Sequence, residues 1–301
     1  MQSNPNPSAA PSTTAAATAT ATHAEFQISL TAAQKLLGSI QIPPQPLVVQ
    51  AIVTERAKEN PNIAHIINLI MNDVGLSAAV LKTTNSPYYA LRKKISSIQS
   101  AVSMLGMKNI STLVMGLALR KSVPVEGIER YWESAARSAE LAGMLAKKLG
   151  LHLIEDAHLY TLFHDSAMPL LMQRFPTYRE TMLAMANAPW DTVTQLEDKL
   201  HHTNHAIVGG LLANNWGLPE HIRTAIMLHH DLTVFDHNNL PRDVVTLIAI
   251  GHVAEHIEKA MSQEMTDCEC EQFGEKSIAY LMMGKDELRD FSDMARDLYD
   301  L

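Results

Sequence analysis

The feature that most constrains this chain is a 3.6-residue apolar repeat that runs through most of its length, with no alternating apolar–polar run to compete with it. Ile63, Ile66, Ile67, Ile70 and Met71 fall at i, i+3, i+4, i+7 and i+8, which places them on one helical face, and Val74, Leu76, Val80 and Leu81 extend the pattern. Proline punctuates it. Pro43-Pro44-Gln45-Pro46 precedes a helix, because proline is tolerated at a helix start. Asn85-Ser86-Pro87 ends one, because the residue before a proline is driven out of the helical region. Ser100 to Leu105 and Ile110 to Leu119 read as helix on either side of Gly106, and helices are expected after Glu129 and over 155–173, 178–187, 193–214, 219–229 and 241–262. The expected fold class is all-α.

At 301 residues the chain is long enough for roughly two domains of about 150 residues. Residues 1–25 are Ala, Thr, Ser, Pro and Asn with almost no charge, which predicts a disordered tail. Residues 26–125 read as an N-terminal helical unit and 126–262 as a second helical bundle, joined near Pro124 to Gly127. Residues 263–301 form an acidic extension: Glu264 to Glu271, an apolar helix over Ser277 to Met283, and a solvated amphipathic helix from Gly284 to the end.

Lys+Arg is 24 against Asp+Glu 32, a net −8, so the basic footprint of a general nucleic-acid binder is missing. The sole basic-aromatic cluster, Tyr88-Tyr89 followed by Arg92-Lys93-Lys94, reads as a solvated connecting loop. Two cysteines, Cys268 and Cys270, are too few for a disulfide framework or a tetrahedral thiolate zinc site. A reducing, cytoplasmic setting is expected. No uninterrupted apolar run approaches the ~18 residues of a membrane span, and Met1 to Pro5 lacks the features of a secretory signal, so no membrane role is expected.

The informative residues are the histidines, 14 in all, most of them in the second half. His164-Asp165 stands at the polar end of the apolar run Leu159 to Phe163. His205 opens His205-Ala206-Ile207-Val208-Gly209, His229-His230-Asp231 closes a helix begun by Leu218-Pro219-Glu220, and His252 and Glu255 share a helical face. Imidazoles and carboxylates projecting from several helices are how helical bundles build mixed nitrogen and oxygen metal sites. His201-His202 and His256 read as surface histidines.

The order of these elements resembles the HDOD proteins, a bacterial branch of the HD-domain superfamily. Ile42-Pro43-Pro44-Gln45-Pro46-Leu47 is similar to the family's "LPPLP" opening, and Ile70 to Leu76 to "I..DP.L". Leu81 to Tyr89 resembles "L...NS..Y", and Ile95 to Gly106 resembles "I.SI..A...LG". Trp216-Gly217-Leu218-Pro219 and His229-His230-Asp231 resemble "WGLP" and "HHD". The resemblance covers about residues 40–260 and implies an N-terminal helical unit packed on an HD-like bundle.

HD enzymes are metal-dependent phosphohydrolases, and the resemblance implies four ligand positions: a His, the His-Asp pair and a distant acid. The pair is His164-Asp165. By comparison with the family's "W..S" helix, Ser134 stands where the first His belongs, Glu255 takes the place of the distant Asp, and Met168 replaces a lysine often found after the pair. His205 and His229-His230 resemble additional ligands of the HD-GYP phosphodiesterases, whose GYP segment is replaced here by Ser166 to Leu171. The expected site is a residual metal site of His164, Asp165, His205, His229, His230 and Glu255, taking Mn, Fe, Ni or Zn. The implied function is a non-catalytic signalling or regulatory protein acting through protein or ligand binding, with partners among signalling proteins, including those of cyclic di-GMP. The alternative is a metal-dependent phosphohydrolase acting on a nucleotide or phosphodiester.

Overall fold

The computed structural model describes residues 40–299, apart from 90, 92, 187, 190, 191, 237, 238 and 263–266. The expected tail over 1–25, Arg92 and the thiols of Cys268 and Cys270 lie outside the described residues. All regular structure among the described residues is helical. In chain order the α-helices are α1 (Leu47–Arg56), α2 (Ile63–Met71), α3 (Val74–Thr84), α4 (Ile98–Ser122), α5 (Glu129–Lys148), α6 (Ile154–Phe163), α7 (Met168–Arg174), α8 (Tyr178–Met185), α9 (Val193–His201), α10 (His205–Asn215), α11 (Glu220–Leu228), α12 (Arg242–Ser262), α13 (Asp267–Tyr280) and α14 (Lys285–Tyr299).

Four of the helices start where a short polar side chain satisfies an orphan backbone amide. Asn62, Asp73, Ser97 and Asn204 each accept from the amide three residues on, at 2.9–3.1 Å, and so open α2, α3, α4 and α10. Two apolar clusters result. The smaller gathers Ile52, Ile66, Ile70, Val80, Ile98, Val102, Ile110 and Val114 from α1 to α4. The larger is built on α5, α6, α10, α11 and α12 and also takes Val49 of α1 and Met115 and Leu119 of α4. α4 therefore runs through both. Gly106, at φ 75°, bends it. α4 is the one described helix long and apolar enough to cross a membrane by length and composition. Its apolar residues are spent instead on packing against α1, α3 and α6.

The two clusters are clasped by the segments that resemble family motifs. Trp216 donates its indole N–H to the Pro43 carbonyl at 3.1 Å, and Gln45 donates its amide to the Trp216 carbonyl at 2.6 Å. Asn85 donates to the Leu81 and Ile95 carbonyls and accepts from the Ile95 amide, which pins the loop after α3. Tyr88 and Tyr89 turn inward, half-buried, with Tyr88 beside His158 and close to Gly143 of α5. Those rings are thereby withdrawn from the exposed Lys93 and Lys94.

Several sequence expectations need correction. The stretch 155–173 is not one helix: it breaks after Phe163 and restarts at Met168, with Pro169 in the first turn of α7. The stretch 193–214 breaks at His202, which adopts the left-handed conformation at φ 59° before Asn204 caps α10. His201 is buried rather than on the surface, packed on Phe175 and Tyr178 with its Nε2 2.8 Å from the Thr181 hydroxyl. The last apolar helix is Asp267–Tyr280, so Ser277 to Met283 is its end and the turn beyond it. α14 is amphipathic as expected but docked. Phe291 and Ala295 are fully buried, Lys148 lies over the Phe291 ring, and Tyr299 donates to Glu140 of α5 at 2.5 Å.

Two contacts set α12 against its neighbours. At Gly251 an added Cβ would fall 2.6 Å from Cε1 of the fully buried Tyr160 ring of α6, so only glycine allows this approach. Gly251→Ala is expected to cost about 1–3 kcal/mol by overpacking, read as a lower urea midpoint with unchanged slope. One residue on, His252 is buried, with Nε2 2.8 Å from the His229 carbonyl and Nδ1 2.9 Å from the Ser277 hydroxyl. Burial pushes its pKa from 6.5 down to about 4. The unfolded chain therefore binds the proton more readily, so His252's contribution to stability is complete above about pH 6.5 and falls as pH drops toward about 4. The stability difference between wild type and His252→Gln should accordingly shrink between about pH 7 and pH 5, by up to roughly 1.4 kcal/mol per pH unit. A difference that is flat across that range would refute this.

Candidate metal centre

The candidate residues sit mostly at helix ends, where the backbone can turn a side chain across the bundle axis. His164 and Asp165 occupy the turn that closes α6, His205 is the first residue of α10, and His229 and His230 follow α11. Glu255 comes from within α12, one turn beyond Gly251. The structure brings all six together, in two groups that share Asp165.

The first group is Asp165, His205, His229 and His230. His205 Nε2 lies 3.2 Å from His229 Nε2, 3.0 Å from His230 Nε2 and 3.2 Å from Asp165 Oδ1. His229 Nε2 is 3.3 Å from the same oxygen. The second group is His164, Asp165 and Glu255: His164 Nε2 stands 2.5 Å from Glu255 Oε1 and 3.3 Å from Asp165 Oδ2. Asp165 therefore divides its two oxygens between the groups.

The outward nitrogens are held from behind. His164 Nδ1 is 2.7 Å from the Thr161 carbonyl, His229 Nδ1 is 2.7 Å from the Ile226 carbonyl, and His205 Nδ1 is 2.6 Å from Glu197 Oε2. Each Nδ1 is consequently a donor, so a metal ion that displaced the Nε2 proton would meet a lone pair turned inward. One proton on His205 Nε2 could satisfy only one of three acceptor atoms at 3.0–3.2 Å. Ligand atoms around a tetrahedral ion with bonds near 2.0–2.1 Å stand roughly 3.3 Å apart. Four of the six separations in this group, at 3.0–3.3 Å, match a coordination shell, and both groups could hold a metal ion.

The electrostatics point the same way. Burial opposes a proton on His164, but Asp165 and Glu255 outweigh it and hold its pKa well above the ordinary histidine value. Burial likewise opposes charge on His205, and Glu197 and Asp165 lift it to about 10. Burial also works against the Asp165 carboxylate, which His164 and the hydrogen bonds from His164, His205 and His229 hold well below its ordinary range. His229 and His230 are pushed down, chiefly by burial, so they are neutral ligands rather than cations. A pocket with this field attracts positive charge. The imidazole-rich group suits first-row transition metals. His205 and His229 are closed off, whereas the Asp165 side chain is 22% and that of Glu255 13% exposed, so the pocket opens on its carboxylate side.

Other candidates fall elsewhere. Ser134 gives its hydroxyl to Glu258, one turn beyond Glu255, at 2.6 Å. Arg137 also binds Glu258, and this buried carboxylate is satisfied without joining the pocket. From α5 it is Tyr131 that reaches the centre, donating at 2.7 Å to the Asp165 carbonyl. Asp231 caps the following turn through the Thr233 amide, which explains the third residue of "HHD". Sequence reading missed Glu197, a fully buried carboxylate on α9. Its signal was weak: an acidic residue four positions after Val193 on an otherwise polar helix.

Comparison with known proteins agrees with this architecture. The chain is 28% identical over 214 residues to an uncharacterized protein of Treponema pallidum, an alignment covering 68% of this chain and 40% of that one. It thus spans about two fifths of that relative's length. The fold is shared with a Shewanella amazonensis crystal structure carrying a provisional phosphohydrolase name, at TM-score 0.67 and 22% identity over 88% of this chain and 94% of that one. It is shared also with an HDOD domain protein of unknown function from Geobacter sulfurreducens, at TM-score 0.65 and 21% identity over 92% of this chain and all of that one. The model of the HDOD domain matches residues 42–232, and with the all-helical architecture built around these motifs the chain belongs to the HDOD family.

Proposed function

We propose that this HDOD protein is a divalent-metal phosphohydrolase. The observation that carries the reading is the division of Asp165 between two ligand groups, one with four protein ligands and the other with three. Four ligands close a tetrahedral shell, whereas three leave a position for water or substrate. The open side of the pocket is the side of the three-ligand group. Mn, Fe, Ni or Zn all suit the donors. Bound ions there would neutralise phosphate oxygens and lower the pKa of an attacking water.

The chain's own residues supply the rest. Asp165 aligns the two groups, and Tyr131 fixes the turn that presents it. Asp165 and Glu255 have partly exposed side chains, 22% and 13%, so they are the ligands that can hold a water from the open side. The closed imidazoles of His205 and His229 exclude solvent behind them. The provisional phosphohydrolase name of the Shewanella structure supports this reading.

A second reading, a non-catalytic signalling module with a degenerate metal site, is favoured by three positions. α5 sends a tyrosine and a serine rather than an imidazole toward this region, and Met168 stands where a phosphate-facing lysine would. Such a module would act on protein partners, cyclic di-GMP signalling proteins among them, only through different affinity for two states.

Protein purified without chelator is expected to carry one to two transition-metal ions per chain. It should hydrolyse a phosphomonoester or phosphodiester, cyclic di-GMP included, with activity lost in EDTA and restored by metal. Asp165→Asn should reduce both metal content and turnover to background, because it removes the ligand common to both groups. Full metal loading without turnover over a broad phosphoester panel would leave the signalling reading. Protein that takes up no metal would refute the phosphohydrolase and leave a signalling module with a vestigial centre.

A further inference from the structure

Behind the candidate centre lies a second set of buried polar groups. Glu197 is fully buried on α9, on the far side of His205 from the convergent nitrogens. One of its oxygens lies 2.6 Å from His205 Nδ1. The other accepts from the backbone amide of His205, at 3.2 Å, and from the hydroxyl of Tyr178, itself fully buried at the start of α8. Three donors thus converge on one carboxylate, and all of its contacts are acceptor contacts. Neither Glu197 nor Tyr178 is itself a member of the ligand groups. A buried carboxylate is costly, and the geometry points to what it does.

We propose that Glu197, steadied by Tyr178, is a positioning residue that fixes His205 in the Nδ1–H tautomer and thereby makes the Asp165–His205–His229–His230 group the tighter of the two metal sites. The inference rests on the metal-binding part of the reading above, not on turnover. His164 and His229 are oriented by backbone carbonyls of their own helices. His205 stands at the first position of α10, where no preceding turn exists to offer a carbonyl. A side chain from another helix has to take that role, and α9 supplies it. The break at His202 and Asn204 is what allows this: the chain reverses between the helices, bringing Glu197 beside a histidine eight residues later.

Glutamine at this position gives a sharp test, because it keeps shape and removes acceptor capacity. In Glu197→Gln the amide oxygen can still accept from Tyr178 and the His205 amide. The NH2 group then faces Nδ1 and requires it to be an acceptor, which moves the ring proton to Nε2 and blocks the lone pair that faces the ligand group. Cobalt(II) titration of metal-free protein, followed by its visible absorption, is expected to show about 10–100-fold weaker binding at the tighter site in Glu197→Gln. Nitrogen-15 NMR of the zinc-loaded proteins should show His205 with its proton on Nδ1 in wild type and without it there in the variant, a change that loss of packing alone would not produce.

Equal cobalt affinity in wild type and variant, or an unchanged tautomer, would overturn the inference while leaving the metal-binding reading intact. No cobalt binding by the wild type would overturn both. Should Glu197→Gln fail to fold, Tyr178→Phe decides: it keeps the carboxylate against His205 but leaves its other oxygen with the His205 amide alone. A smaller loss of cobalt affinity in that variant supports the proposal, and unchanged affinity overturns it.

Discussion

The close approach of α12 to α6 at Gly251 is the contact on which the centre depends. A backbone pressed onto the Tyr160 ring carries Glu255 to within hydrogen-bond distance of His164, and His252 to the carbonyl of His229. The same approach therefore sets the distance between the two carboxylate-bearing elements and steadies the turn that presents the paired histidines. A helical bundle packs its interiors with Ala, Leu and Ile and has little room for polar groups within them. Chemistry is displaced to the ends, where His164, Asp165, His205, His229 and His230 all stand.

The family-like motifs divide along this line. Trp216, Gln45, Asn85, Ser97 and Asp231 form a clasp, a loop staple and two caps, and none of them joins the ligand groups. Most of what makes the chain recognisable is thus the hardware that closes helices and joins α1 to the later bundle. The chemistry rests on fewer residues, which the same hardware brings into register.

The helical class was legible because the 3.6-residue repeat is dense and uninterrupted by strand patterns, and most helix bounds follow from prolines and caps. The breaks at His164 and His202 are easily passed over because the apolar period resumes beyond each, although His164-Asp165-Ser166 and His201 to His205 interrupt it with polar residues. The six pocket residues could be found from residue type and order. Their partition into two groups through Asp165 could not, because it depends on which way each carboxylate oxygen faces. His201 looked like a surface residue beside His202, yet rings from α7–α8 cover it. Glu197 was hidden for a related reason: a glutamate on a polar-looking helix carries no mark of burial until α8 and α10 close over it.

The docked end of the chain bears on where this molecule can be divided. The family match stops at residue 232, yet α12 contributes Val244, Leu247, Ile248, Ile250 and Val253 to the larger apolar cluster, and Phe291 of α14 completes it. Glu255 also lies past that boundary. A fragment ending at residue 232 would expose an open seam of aliphatic side chains and lack one wall of its own pocket. Recombining this domain with another protein would have to carry the chain at least through Phe291, well past the end of the family match.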